Sequence, residues 1–190
     1  HFEGEKSVFS KRKFALSIAL ISVIAAFAAS AGTASAALPV NYNFLSAQTS
    51  SVLTGATPPS GANNWLCRPS AAHPRPIVLV HGTVENQKSN WSALAPELKN
   101  AGYCVYTFNY GDGLFTLGQF YGLDSMTKSG SELKSFVDKV RFWSGASKVD
   151  LVGHSQGGLL LRYYIQKLGG AAKVKNAVAL AATNNGTTLS

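Results

Sequence analysis

The sequence predicts an α/β fold: a mostly parallel sheet with helices on both faces, whose C-terminal part lies outside this chain. Three observations carry that expectation. From Pro76 onward, short β-branched runs alternate with helical stretches. The runs are continuously apolar, as in strands covered on both sides, rather than alternating as in half-solvated ones. Residues capable of chemistry cluster where those runs end, and open parallel sheets bind their ligands at that edge.

The first run, "PIVLV" at 76–80, reads as a buried strand. "WSALAPELKNAG" places Trp91, Leu94 and Leu98 on one helical face, with Pro96 in an early turn and Gly102 as the stop. "YCVYTFNYG" at 103–111 is the second strand. "SGSELKSFVDKVRFW" is a helix with Ser129 and Glu132 as a capping box and an apolar stripe of Leu133, Phe136, Val137, Val140 and Trp143. "KVDLVG" is the third strand, "QGGLLLRYYIQKL" a helix closed by Gly169-Gly170, and "NAVALAAT" the fourth strand. If the chain ends there, the edge strand around 176–182 is left unpaired, an aggregation hazard.

Residues 1–36 have a different composition. Lys11, Arg12 and Lys13 precede an apolar run from Phe14 to about Ala29, and Ala34-Ser35-Ala36 follows. That layout is a secretory signal peptide, with cleavage expected between Ala36 and Ala37. An uncleaved anchor is the competing reading; Ser17 and Ser22 interrupt the run, and it is short for a span. The opening His1 and the single Met126 suggest a piece of a longer reading frame. Residues 37–65 show no sustained period and read as an N-terminal arm, lying over the domain or mobile; residues 66–190 form the domain.

The chain of 190 residues carries a net charge of +8. The leader holds 4 of the 17 basic and 2 of the 9 acidic residues, leaving 13 against 7, without a basic block or aromatic interleaving. Nucleic acid is therefore not an expected partner, whereas a transient contact with a lipid interface fits. Cys67 and Cys104 both lie in the exported part, where an even pair favours a disulfide; two buried thiols are the alternative. No second Cys or His stands at ligand spacing, so no metal is expected.

"VDLVGHSQGG" carries the chemistry. Gly153-His154-Ser155-Gln156-Gly157 matches G-x-S-x-G after an apolar strand and before a helix. Glycines two before and two after the serine relieve crowding on a tight turn that points the hydroxyl out of the sheet. A Gly-rich turn with an idle serine is the plain alternative. A serine attacking an ester needs donors for the oxyanion. The Gln156 N–H is one; the Thr83 N–H, presented by the turn at His81-Gly82, is the other. His81 reads as an orienting, hydrogen-bonded residue rather than a base. His154 adjoins the serine, and turn neighbours point apart, so it is expected to pack against the sheet or another loop. His73, in a Pro-rich approach, reads as a surface residue; Asp138 and Asp150 read as structural or solvated. In this type of hydrolase the acid and the histidine follow the serine, and no Asp, Glu or His follows Ser155. The catalytic Asp and His are thus expected outside this chain. The long aromatic loop 110–126 offers Phe115, Leu117, Phe120 and Tyr121 as an acyl-chain groove or lid, or simply as packing for other parts of the fold.

Together, "AAHPRPIVLVHGT", "NWSALAPELKNAGYCVYTFNYG", "SKVDLVGHSQGG" and "GGAAKVKNAVALAATNNGTTLS" resemble the secreted class 2 lipases of actinobacteria, within the α/β-hydrolase superfamily. The resemblance runs from about Asn64 to Ser190. It implies an acylated nucleophile at Ser155 and oxyanion donors at Thr83 and Gln156. It also implies a "TNNGTT" loop framing the site, where many lipases have a His in place of Asn184 or Asn185. The substrate implied is a lipid or other carboxylic ester, with no cofactor. An acyltransferase or thioesterase on the same scaffold, or a non-catalytic remnant, are the competing functions.

Overall fold

In the computed structural model of the chain, residues 36–112 and 116–186 are described. The signal-peptide expectation, and Phe115 in the aromatic loop, lie outside them.

Four strands make one sheet: β1 (Ile77–Val80), β2 (Val105–Thr107), β3 (Val149–His154) and β4 (Val174–Leu180), in the order β2-β1-β3-β4. All neighbouring pairs are parallel, and Val80 stands opposite Gly153 at the ends of the central two. From β1 the chain moves outward to β2, then returns to the other side for β3 and β4. The reversal lies between β1 and β3, which is where such sheets open a crevice.

β1 shows why the sheet needs cover on both faces, since all four of its residues are buried. Ile77 and Leu79 pack with Trp91, Ala95 and Val105 beneath the helices α2 (Gln87–Trp91) and α3 (Leu94–Asn100). Val78 and Val80 face the larger core of Leu133, Val137, Val140, Leu160, Leu161 and Tyr164, supplied by α4 (Met126–Ser144) and α5 (Gln156–Lys167). The expected α/β architecture with helices on both faces is therefore present. Cys67 and Cys104 are bridged, tying the approach to β1 to the start of β2.

Several local expectations are corrected. The single helix expected from Trp91 onward is two, because Ser92 and Ala93 interrupt it; Pro96 sits in the first turn of α3, where its missing N–H is harmless. The second strand is shorter than residues 103–111, since Asn109 and Tyr110 turn away to serve loops. Ser129 and Glu132 do not cap α4. The helix is capped four residues earlier, on Ser125, whose hydroxyl accepts from the Lys128 N–H. Ser129 is buried inside it, and Glu132 reaches instead to the Gly111 N–H at 2.8 Å. Trp143 leaves the expected stripe and is 45% exposed. The N-terminal arm contains a helix, α1 (Phe44–Thr54), capped by Asn43 and docked on α2 through Ser51 and Asn86. Its weak amphipathicity hid it: the residues it buries are the small Ala47 and Ser51. Among the described residues, no helix is long and apolar enough to cross a membrane.

Candidate active site

Ser155 follows β3 directly and caps α5, with φ 51° and ψ −122°. A non-glycine residue there is strained, and such strain persists only where surrounding packing enforces it. Here the enforcement is steric. A Cβ at Gly157 would lie 2.3 Å from the Val80 carbonyl oxygen, and one at Gly153 would lie 2.6 Å from the Gly157 carbonyl carbon. Both glycines of the motif are thus required by close backbone approach, and α5 is drawn tight against the ends of β1 and β3. The Ser155 N–H donates to the Leu180 carbonyl at 2.9 Å, which fixes the turn to β4 as well. As the first residue of α5, Gln156 has an N–H without a carbonyl one turn back, so it is open to an anion.

The loop after β1 folds over the same point. A Cβ on Gly82 would stand 3.1 Å from Ser155 Cβ, so only glycine brings this turn so close to the serine. His81 beneath it is fully buried, stacked on Tyr110 at 4.4 Å between centroids. Its Nδ1 lies 2.8 Å from the Gly82 carbonyl, and its Nε2 faces the Tyr110 N–H at 3.4 Å. A ring with Nδ1 donating and Nε2 accepting is neutral, and burial lowers its pKa to about 4. The Tyr110 hydroxyl, held in its phenol form by burial, lies 2.8 Å from the His81 carbonyl and 3.1 Å from Gln156 Oε1.

Residues 74–189 match the model of the family described as Lipase (class 2). The chain belongs to the class 2 lipase family. Triacylglycerol lipases of Pseudarthrobacter phenanthrenivorans and Burkholderia plantarii are each 36% identical to it over 98 residues, 49% of this chain and 28% and 25% of theirs. It thus spans about a quarter of the length of these curated relatives. Among solved structures, a Bacillus licheniformis lipase in mature form overlaps 70% of this chain and 48% of its own, at 20% identity and a TM-score of 0.46. A Paleococcus ferrophilus monoacylglycerol lipase overlaps 57% and 40%, at 25% identity and 0.44. The α/β-hydrolase assignment rests here on the family match, the strand order and the serine turn.

Within this class 2 lipase chain, the expected site residues converge at one edge: Ser155 and Gln156 after β3, His81, Gly82 and Thr83 after β1. Among the described residues, none hydrogen-bonds the Ser155 side chain. His81 is enclosed, His73 stacks on Tyr103 at 3.8 Å, and His154 Nδ1 lies 3.1 Å from Glu85 Oε2. Asp150 holds Arg75 through both oxygens at 3.0 Å, and Asp138 holds Lys173. Asn184 and Asn185 form a turn after β4, and Ala182 of that loop leaves room for nothing larger than glycine at 158. Leu117 is 95% exposed, while Phe120 and Tyr121 are partly covered.

Sequence reasoning passed over Glu85, Asn86, Asn90 and Gly122. Asn86 caps α2 reciprocally with Ser89 and also donates to Ser51 Oγ and the Gln119 carbonyl, joining three segments. The Asn-x-x-Ser spacing in "NQKS" was the available signal. Gly122, with φ 73°, lies where a Cβ would be 2.9 Å from the Gly82 carbonyl, so the aromatic loop rests on the turn after β1.

Proposed function

We propose that the protein containing this chain is an exported serine hydrolase of lipid esters, with Ser155 as its nucleophile. The observation that carries the reading is the Ser155 backbone, held at φ 51° at the reversal point of the sheet within the segment matched to class 2 lipases. Ser155 Oγ attacks the ester carbonyl, and the developing oxyanion is received by the Thr83 and Gln156 N–H groups. A histidine outside the described residues takes the hydroxyl proton as Oγ attacks and returns it to the leaving alkoxide, giving an acyl-serine that water then hydrolyses. The triacylglycerol lipases related to the chain support lipid esters as the substrate class. The Cys67–Cys104 bridge and the leader composition support export, with Ala37 as the first mature residue.

The test uses the full gene product. A fluorophosphonate probe labels Ser155 and fails to label Ser155→Ala, and long-chain esters are hydrolysed in water without an added acceptor. Labelling that survives in Ser155→Ala refutes the assignment. Turnover that requires an alcohol or thiol acceptor makes the protein an acyltransferase instead.

A further inference from the structure

Glu85 and His154 join the two segments that supply the oxyanion donors. Glu85 Oε2 accepts the Gly82 N–H at 2.9 Å and lies 3.1 Å from His154 Nδ1. Gly82 immediately precedes Thr83, and His154 precedes Ser155 and Gln156 by one and two residues. One carboxylate oxygen therefore bonds the turn after β1 to the last residue of β3, just beyond the last β1–β3 pair, Val80 and Gly153. The carboxylate is largely covered and the imidazole about one-third exposed.

The turn after β1 needs such a restraint. Val84 has φ 58°, a left-handed conformation that a β-branched residue resists. Left alone, the turn relaxes and carries Thr83 with it. Two main-chain bonds oppose this from outside: Val84 N–H to the Tyr121 carbonyl and Tyr121 N–H to the Glu85 carbonyl, both at 2.9 Å. From inside, the Tyr110 hydroxyl donates to the His81 carbonyl at 2.8 Å. The Glu85–His154 contact is the strut across the mouth. Asn90 Nδ2 also lies 3.1 Å from His154 Nδ1, but that nitrogen cannot donate to Glu85 and accept from Asn90 at once. The charge-assisted bond to the carboxylate is the stronger of the two, and it sets the proton on Nδ1.

We infer that Glu85 and His154 are positioning residues that latch the Gly82–Thr83 turn to the serine turn and so hold the spacing between the two oxyanion donors. The inference rests on the ester-hydrolase reading for its catalytic consequence, though not for the latch itself. The latch matters because a two-donor oxyanion hole stabilises the transition state only when both N–H groups aim at one point. Losing one donor outright costs roughly 10²–10³ in kcat, which bounds the effect of letting one drift.

The test compares the full gene product with Glu85→Ala, Glu85→Gln and His154→Phe, using a soluble p-nitrophenyl ester and amide hydrogen exchange. Glu85→Ala lowers kcat by about 10–100-fold and leaves KM within about threefold, since the loss is confined to the transition state. Glu85→Gln, which still accepts the Gly82 N–H, recovers most of it. The Glu85→Ala/His154→Phe double variant is no slower than Glu85→Ala alone, because both remove one linkage. Exchange in the 81–86 segment quickens about tenfold in Glu85→Ala while β1 and α5 keep their protection. Wild-type kcat together with wild-type exchange in Glu85→Ala overturns the latch. If Glu85→Ala does not fold, Glu85→Gln and His154→Phe carry the test, and wild-type exchange and kcat in His154→Phe overturn it equally. If the wild type shows no Ser155-dependent hydrolysis, the ester-hydrolase reading fails, and the exchange data alone decide the latch.

Discussion

Acid should destabilise this protein through His81, and the size of the effect follows from the ring's surroundings. The imidazole is buried, its Nδ1 proton serves the Gly82 carbonyl, and desolvation lowers its pKa from 6.5 to about 4. The fold therefore holds the neutral ring, while an unfolded chain takes the proton first. Stability from this group is complete above pH 6.5, declines as pH falls from 6.5 to about 4, and is flat below that. Each pH unit in the window costs about 1.4 kcal/mol, so the whole passage costs about 3 kcal/mol. Urea unfolding of the wild type and of His81→Gln at pH 7.5, 6, 5 and 4 isolates the term, because every other titrating group is common to both. The stability difference between them should shrink by about 3 kcal/mol from pH 7.5 to pH 4. Parallel stability curves would refute the reasoning: the folded protein would then accommodate a charged ring, and the turn carrying Thr83 would not be built on a neutral imidazole.

Other perturbations follow from the same geometry. Reducing the Cys67–Cys104 bridge, which closes a separation of 37 residues, should lower stability by about 4 kcal/mol, seen as a drop in Tm of roughly 10 °C under dithiothreitol. Gly157→Ala should abolish both labelling at Ser155 and soluble expression, because its Cβ would lie 2.3 Å from the Val80 carbonyl oxygen. Gly145→Ala, open on all sides but at φ 73°, should fold and lose only about 1 kcal/mol in urea melts. Leu133→Ala, fully buried between α4 and the sheet, should cost about 2–5 kcal/mol by the same assay.

The elements that sequence reveals best here are those whose residues answer to one demand. β1 is buried on both faces, so its unbroken apolar run had a single reading, and each glycine of "GHSQGG" answers to one close approach: Gly153 to the Gly157 backbone, Gly157 to Val80 and Gly158 to Ala182. Where a residue serves two masters, sequence misleads. Ser129 and Glu132 have capping spacing, yet the helix extends past them because Ser129 packs into the core and Glu132 is drawn away to the Gly111 N–H. α1 is built largely of small polar residues, whose docking depends on Ser51 meeting Asn86 some 35 positions later, a contact no local pattern announces. Glu85 escaped for the same reason: its partners, Gly82 and His154, are brought together only by the pairing of β1 with β3.

Apart from Asn63 beside β2, a residue type that tolerates the left-handed region, the described non-glycine residues with positive φ gather toward one edge of the fold. Val84 after β1, Leu117 after β2, Ser155 after β3 and Ala181 after β4 each have positive φ without being glycine. The connection that follows each strand thus carries one such residue, each costing about 1–3 kcal/mol that the two cores must offset. A turn without functional demands would place glycine at such positions at little cost. Strain concentrated at one edge therefore marks that edge as the part of the molecule where geometry has been favoured over stability. Ala181 gives the cleanest trial, because its exposed side chain packs against little. Ala181→Gly should stabilise the protein, or leave it unchanged if added chain entropy offsets the relief, with any gain no more than about 1 kcal/mol. A loss beyond 1 kcal/mol would mean that the Ala181 conformation is not strained, and the strain at the carboxyl edge would then be confined to the loops after β1, β2 and β3.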